Sequence, residues 1–399
     1  MAADTSDYEV EQPWRKTKVS HPKGWEPSLD WRGDKGTVTT AALEDEPTDA
    51  IWENLIADWG LDPAVVRVIP GSVQVRAWDA NLGNGEVKRL KYYRASLEPL
   101  IKPEDRADIE ALCKAVMHRK PVKATFNLGS ERAVIVNLSD WQTGKTNNGK
   151  GTPELVEAIN ATTDRLIDWL KTLKKNGVLC VYVIGLGDLV EQCDGHYDMQ
   201  AFTVDLDRRE QMRLARRLIL MIVDRIIGLG LRVVLGAVPG NHGENRRNGK
   251  AFTTWTDNDD LAVFDGVAEV LASNPDRYHL ASVPQGAIAD DLTLTLDVAG
   301  VPVAWAHGHQ CKGKGPEAWW AGQVMGYQGV GTAHILNTGH FHHFTISEKT
   351  SRTWMQMPAM DGGSHWWTSN TGQHSPRGTV AYVAGNACGS RGWSDLVIL

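Results

Sequence analysis

The chain has 399 residues, of which 42% are hydrophobic and 23% charged, an ordinary composition for a globular protein with a substantial core. At about 150 residues per domain, this length predicts two or three domains. The 42 basic and 49 acidic residues give a net charge of −7, which excludes a globally positive surface for nucleic acid. Any binding of nucleic acid must therefore be local.

Features of the whole chain also predict where the protein works. No apolar run approaches the roughly 18–20 residues of a membrane-spanning helix, so we do not expect an integral membrane protein. Residues 1–9 have neither the basic nor the apolar region of a secretory signal. The five cysteines are scattered and include no CxxC pair, which argues against a disulfide framework. Together these features predict a cytoplasmic protein without a membrane partner.

The first third of the chain predicts a tail and a small module. Residues 1–45 are rich in Pro, Gly and charged residues without a sustained period, which predicts a flexible tail. Residues 46–120 are predicted to form a small α/β module of unknown role, which could bind a protein partner. It would contain a helix over 49–59, strands over 65–78 and a second helix over about 103–117.

The remaining residues, 124–399, change to a rhythm of strand, loop and helix. Apolar runs predict strands over 133–138, 179–184 and 232–238. Helical spacing predicts long helices over 153–177 and 207–227. After about residue 276 the pattern becomes rich in strands. Strands that alternate with long helices predict an α/β fold with a mostly parallel sheet.

Polar side chains stand at five successive strand ends, where sheets of this kind bind their ligands. A single histidine there would indicate only a hydrogen-bonded core residue, whereas five ordered clusters predict a metal site. The residues concerned are Asp140, Asp188, Asn241, His242, His307, His309, His340 and His342.

In order and spacing these residues resemble the calcineurin-like metallophosphoesterase superfamily, and in particular its DNA-repair exonuclease-type members. The superfamily pattern is DxH, then GD, then GNH followed by an acid, then H, then GHxH. Here it stands as Asp140-Trp-Gln142, Gly187-Asp188, Gly240-Asn-His-Gly-Glu244, His307 and Gly339-His-Phe-His342. The resemblance covers about residues 130–345 and leaves out residues 1–120.

Two positions depart from that pattern. Gln142 replaces the first histidine, which bears on how tightly one metal is held. Gly243 separates His242 from Glu244, which bears on whether this acid supports the histidine.

The resemblance implies an αββα sandwich with two divalent metal ions at the carboxyl ends of its strands. Such a pair, about 3.5–4 Å apart, lowers the pKa of a shared water and clamps the phosphate oxygens. Manganese would be the first choice, with magnesium, iron and zinc as alternatives. Asp188 would bridge the ions. The other implied ligands are Asp140, Gln142 and His342 for the first ion, and Asn241, His307 and His340 for the second.

The resemblance also implies that His242 protonates the leaving oxygen or stabilises developing charge, with Asp188 and Asn241 as the other catalytic residues. Two questions stay open in the sequence: whether Gln142 coordinates, and whether His307 or His309 is the ligand.

Three competing motifs are incomplete. The segment Gly144-Lys-Thr146 lacks the first glycine of a P-loop, Gly185-Leu-Gly187 lacks a third glycine, and Cys193 with His196 lacks a second pair.

Three loops beside the expected metals indicate the substrate. Residues 141–153, 245–256 and 310–316 hold seven basic residues and no acidic ones. Surface loops often carry charge, but this segregation favours a polyanion. The candidate substrate-binding residues are Lys145, Arg246, Arg247, Lys250 and Lys312. Unpaired bases could stack on tryptophans in or near these loops, which could equally pack beneath them; these are Trp141, Trp255, Trp319, Trp320, Trp366 and Trp367.

We therefore predict a metal-dependent phosphodiesterase, a nuclease acting on DNA or RNA. One alternative is a phosphomonoesterase, either a protein or a nucleotide phosphatase. The other is a metal-bearing scaffold without catalysis. The departure at Gln142 supports the scaffold, whereas the retained His242 argues against it.

Overall fold

The computed structural model describes residues 25–32, 35–43, 45–63, 65–81, 87–100, 111, 131–147, 150–197, 200–247, 249–311, 313–363, 368–369, 372 and 374–399. The chain divides into two units, Met1–Arg106 and Ala107–Leu399. The predicted boundaries of the module and the large domain stay predictions.

The first unit is an antiparallel sheet with one helix. Its strands are β1 Ser28–Trp31, β2 Gly36–Thr39, β3 Val66–Val68, β4 Gln74–Asn81 and β5 Val87–Pro99, and its helix is α1 Asp49–Asp58. The long β5 pairs with β2, β3 and β4. Trp52 and Ile56 of α1 are buried. The helix predicted over 49–59 and the strands predicted over 65–78 are confirmed.

The structure differs from the predicted tail, because β1 and β2 lie inside residues 1–45. Both strands have only four residues, too few to show a period. Strand β2 pairs with a distant part of the chain, such as Thr39 with Arg94 of β5, and β1 in turn pairs with β2. Residues 1–24 and the helix predicted over 103–117, apart from Ala111, lie outside the described residues.

The described part of the second unit contains two large sheets and one two-stranded sheet. In chain order the strands are β6 Ala133–Leu138, β7 Cys180–Gly185, β8 Arg232–Ala237, β9 Arg246–Arg247, β10 Lys250–Ala251, β11 Ala281–Ser282, β12 Thr293–Val298, β13 Val301–Ala306, β14 Ile335–Thr338, β15 Thr345–Lys349, β16 Arg352–Gln356, β17 Val380–Ala384 and β18 Trp393–Ile398. One sheet has the order β11-β8-β7-β6-β17-β18, and the other β12-β13-β14-β16-β15. The strands β6, β7, β8 and β11 are parallel, as are β13, β14 and β16.

Helices cover the outer faces of these sheets. They are α2 Thr152–Lys175, α3 Arg208–Ile227, α4 Asp259–Ser273, α5 Pro275–Tyr278 and α6 Pro316–Met325. Val134 and Val136 of β6 pack in the core formed with α2, α3 and α4. Ile135, between them, packs against Val303 and Trp305 of the second sheet. On the far side of that sheet, Trp320 of α6 packs with its own small core.

These layers form the αββα sandwich that the sequence predicts. The parallel strands read as continuous apolar runs because both of their faces are buried. The three predicted strands, the two long helices and the change to strands after residue 276 are all confirmed. Within the described part of the chain, no helix is both long and apolar enough to cross a membrane.

Candidate metal centre

The chain turns sharply where β6, β7 and β14 end. Residues without glycine's freedom rarely adopt positive φ, and such strained positions concentrate at functional sites. Five of the predicted ligand positions have φ between 44° and 70°. They are Asp140, Gln142, Asp188, His340 and His342.

Two glycines allow the turns after β7 and β8 to touch. A Cβ atom on Gly187 would lie 2.6 Å from the Cα of Gly240 and 2.7 Å from Nδ1 of His307. No larger residue fits between these backbones. The glycines of the GD and GNH segments therefore bring Asp188 close to the end of β13.

Asp188, His307 and His340 converge on one point. Their potential ligand atoms all lie within 4.8 Å of one another. His307 Nδ1 lies 2.8 Å from the carbonyl oxygen of Leu186, so this nitrogen donates its proton to the backbone. Burial lowers the pKa of His307, but Asp188 raises it to about 9, so Nε2 also carries a proton, directed at Asp188 Oδ2 2.9 Å away. A divalent ion bound here would displace this proton and be shared by the imidazole nitrogen and the carboxylate.

Asn241 carries a further oxygen in the same turn, since the backbone N–H of the next residue, His242, donates to Asp188 Oδ1 at 2.7 Å. Its Oδ1 is buried and has no hydrogen-bond partner among the residues that the structure describes. Carboxylate, amide oxygen and imidazole are common ligands of divalent transition metals. Asp188, His307 and His340 therefore form a group that could hold a divalent ion, to which Asn241 could add an oxygen, and this group includes His307 and not His309.

The charges of the group follow from burial and from one another. Burial lowers the pKa of His340 to about 4, with help from His307, so its ring is neutral and can ligate. Burial alone would raise the pKa of Asp188, but His307 and His242 hold it well below its usual value. Asp188 is therefore a carboxylate at neutral pH.

Asp260, which the sequence analysis missed, holds these turns in place. Its Oδ2 accepts hydrogen bonds from the backbone N–H groups of Asp188 at 2.9 Å and Gly240 at 3.0 Å. Its Oδ1 accepts from Leu189 at 2.9 Å and Val190 at 3.3 Å. Burial and the nearby Asp188 raise the pKa of Asp260 to about 7. The only signal in the sequence is its place in the first turn of α4.

The residues expected to bind a first ion are engaged with other groups. Asp140 accepts hydrogen bonds from Ser139 Oγ and from the backbone N–H of His340. His342 Nε2 lies 3.2 Å from Asp140 Oδ1, and its Nδ1 lies 3.6 Å from Oδ1 of Asp361. Both ring nitrogens thus face carboxylates, which raise the pKa of His342 to about 10 although burial lowers it.

Gln142 and Lys145 complete this second cluster. Lys145 Nζ donates to Gln142 Oε1 and to Asp361 Oδ2, both at 2.5 Å. Burial lowers the pKa of Lys145, but Asp361 and Glu191 outweigh burial and raise it, so the side chain is an ammonium. These residues, with Asp140 and His342, do not fit a metal ion as they stand.

His242 lies between the two clusters. Its Nδ1 is 3.2 Å from both the carbonyl oxygen and Oε2 of Glu191, and its Nε2 is 3.2 Å from the amide nitrogen of Gln142. Burial lowers the pKa of His242, but Glu191 and Asp188 raise it to about 9. The ring of His196 stacks on it at 4.6 Å between centroids.

The acid beside His242 is therefore Glu191, not the residue that follows the GNH segment. Glu244 binds Arg246 at 2.8 Å, and its other oxygen lies 3.8 Å from His309 Nε2. Glu191 follows Asp188 by three residues, a proximity in the sequence that could have indicated it.

The predicted substrate-binding residues fall into different environments. Lys145 is largely buried in its ion pair, and Arg246 is paired with Glu244, so neither faces solvent as a free cation. Arg247 and Lys250 are exposed on the hairpin of β9 and β10. Lys312 lies outside the described residues.

The tryptophans that could stack on bases also lie in different environments. Trp141 and Trp320 are buried, and Trp319 is partly buried, so they pack beneath their loops. Trp255 is 51% exposed. Trp366 and Trp367 lie outside the described residues. Only Trp255 of the described candidates thus presents a ring for stacking.

Comparison of the sequence with protein-family models and with curated proteins finds no match. Solved structures show remote likenesses. Vacuolar protein sorting 29 from Cryptosporidium parvum is 12% identical, with 64% of this chain and 86% of that chain covered at a TM-score of 0.32. A novel archaeal phosphodiesterase is 12% identical, with 67% and 99% covered at a TM-score of 0.30. A predicted phosphoesterase from Streptococcus pneumoniae is 11% identical, with 64% and 84% covered at a TM-score of 0.27. Similarity at this level assigns no family.

Proposed function

We propose that this chain is a metal-dependent phosphoesterase that hydrolyses phosphodiester bonds in nucleic acid. The observation that carries the proposal is the convergence of Asp188, His307 and His340, whose potential ligand atoms lie within 4.8 Å of one another. The buried Oδ1 of Asn241, which has no hydrogen-bond partner among the described residues, supports it. Buried charged groups are costly unless they are compensated, and a divalent ion would compensate these. We also propose a cytoplasmic location, which is supported by the scattered cysteines.

The four residues Asp188, Asn241, His307 and His340 would hold the divalent ion. Bound there, the ion would supply the Lewis acidity that makes water nucleophilic at neutral pH and polarises a phosphoryl oxygen. Manganese is the proposed metal, since a mixed set of oxygens and imidazoles accepts it. Asp260 keeps the turns that carry two of these ligands fixed.

His242 would hold the proton for the leaving oxygen. Its Nδ1 is anchored on Glu191, which orients the ring, and the pKa of about 9 keeps a proton on it at neutral pH. Gln142 disfavours a proton on Nε2 of His242. Lys145 holds the amide oxygen of Gln142, so the amide N–H₂ group faces this nitrogen. A positioned acid of this kind contributes about 10²–10⁴-fold to the rate of such reactions.

The hairpin loop that follows His242 favours nucleic acid over a small ester. Arg247 and Lys250 are exposed there and could contact phosphates. Phe252 is 64% exposed and Trp255 51% exposed in the same loop. Exposed rings beside basic side chains are typical of surfaces on which unpaired bases stack. A single strand is therefore the proposed substrate.

Hydrolysis assays with added Mn²⁺ test the proposal. We expect turnover of bis(p-nitrophenyl) phosphate but little of p-nitrophenyl phosphate, and cleavage of single-stranded DNA or RNA in preference to duplexes. Loss of activity in His307→Ala, with the fold retained by circular dichroism, would tie the turnover to the metal group. Turnover of the monoester alone would indicate a phosphatase. Metal binding without any turnover would indicate a scaffold.

A further inference from the structure

A lysine lies in the cluster where the resemblance places a first metal ion. The side chain of Lys145 is 15% exposed, and that of its partner Asp361 only 3%. Its ammonium donates at 2.5 Å to Asp361 Oδ2 and at 2.5 Å to Gln142 Oε1. These contacts are short, buried and charge-assisted, which makes them strong.

The residues expected to bind only the first ion, Asp140, Gln142 and His342, already contact other charged or polar side chains of this cluster. The amide nitrogen of Gln142 has no lone pair to offer, so the residue could ligate only through the oxygen that Lys145 already uses. The two nitrogens of His342 face carboxylate oxygens of Asp140 and Asp361 at 3.2 Å and 3.6 Å. A divalent ion among the same oxygens would also be repelled by the ammonium.

We infer that the ammonium group of Lys145 takes the place of the first metal ion, so that the centre binds one divalent ion per chain. That ion would sit on Asp188, His307 and His340, whose ligand atoms converge within 4.8 Å. The exchange of histidine for glutamine at position 142 fits this arrangement. An amide oxygen accepts a hydrogen bond from an ammonium, whereas a neutral imidazole at this place would compete for a metal.

The inference concerns the same site as the proposed function, but it does not require hydrolysis. A chain that binds one ion and cleaves nothing would support the inference and contradict the function. A chain that cleaves diesters with two ions bound would do the reverse. The inference and the proposed function can therefore be refuted independently of each other.

The experiment counts metal ions on the full chain. Equilibrium dialysis against Mn²⁺ gives the number bound, and electron paramagnetic resonance distinguishes an isolated Mn²⁺ from an exchange-coupled pair. We expect one ion per wild-type chain with the hyperfine pattern of an isolated ion. His340→Ala should weaken this ion strongly. Two ions per wild-type chain, with a coupled spectrum, would overturn the inference.

The double variant Gln142→His, Lys145→Met tests the role of the lysine itself. It removes the ammonium, frees Asp361 and supplies an imidazole, so we expect a second ion and a coupled spectrum. Lys171→Met is the matched control, because Lys171 forms an exposed ion pair with Asp168 on α2. This control should still bind one ion. A double variant that is folded by circular dichroism and still binds one ion would contradict the inference, and the wild-type count decides the matter if that variant fails to fold.

Discussion

Asp260 offers the most direct test of how the fold positions the metal group. Its two carboxylate oxygens accept four backbone hydrogen bonds, from Asp188, Leu189, Val190 and Gly240. Asp260→Asn keeps the size of the side chain but leaves only one oxygen. The other oxygen becomes an N–H₂ group that faces backbone donors. We therefore expect the turns after β7 and β8 to lose part of their support.

The cost follows from the number of donors affected. If two of the four backbone N–H groups lose their acceptor, and each buried orphan costs about 1–3 kcal/mol, the free energy of unfolding falls by about 2–6 kcal/mol. Domains are typically stable by about 5–15 kcal/mol, so the variant should still fold. Loss of a residue that orients metal ligands typically weakens the metal by about 10–100-fold.

Urea unfolding and Mn²⁺ titration of Asp260→Asn measure the two effects. Asp224→Asn is the matched control, because Asp224 is also largely buried but binds Arg277, away from the metal ligands. The control should lose stability and keep its affinity for Mn²⁺. If Asp260→Asn binds Mn²⁺ as tightly as the wild type does, Asp260 supports the fold alone, and its role at the centre is refuted.

Three further predictions concern the site directly. Asp188→Asn should abolish Mn²⁺ binding in equilibrium dialysis while the circular dichroism spectrum stays unchanged; retained binding would contradict its place in the group. His242→Ala should lower turnover of an alkyl diester by about 10²–10⁴-fold at unchanged metal content. It should lower turnover of a nitrophenyl diester less, and equal losses would argue against proton donation. Replacing Arg247 and Lys250 by Gln should weaken binding of oligonucleotides and flatten its salt dependence, with hydrolysis of the chromogenic diester as the control.

The layered fold could be predicted because its signals are local. Strand β6 has apolar residues on both faces and only one polar residue, Asn137, so Val134 and Ile135 together identify it as a strand buried from both sides. The strands β1 and β2 gave no such signal, because four residues carry too little pattern. Strand β2 is stabilised by pairing with β5, more than fifty residues away, and β1 by pairing with β2.

The residues of the metal group could also be predicted from the sequence, whereas the residues around them could not. Asp188 and His307 follow apolar runs and stand in ordered motifs, so position alone indicated them. Lys145 looked like a solvent-facing loop residue, since its partner Asp361 lies 216 residues further along the chain. Asp260 looked like an ordinary acid at the start of a helix, and only the fold places it under the turn of Asp188.

The charges buried at this edge of the sandwich explain why the fold and the metal belong together. The acidic side chains buried there, each at most 5% exposed, include Asp140, Asp188, Glu191, Asp260 and Asp361. Buried carboxylates are costly unless a cation or several donors compensate them. Lys145 compensates Asp361, and His242 compensates Glu191. Asp260 accepts hydrogen bonds from backbone N–H groups. Asp188 lies 2.9 Å from Nε2 of His307 and accepts the backbone N–H of His242, and these two histidines hold its pKa well below its usual value. A divalent ion bound there would displace the proton of His307 and keep Asp188 compensated, so it would serve the fold as well as the chemistry.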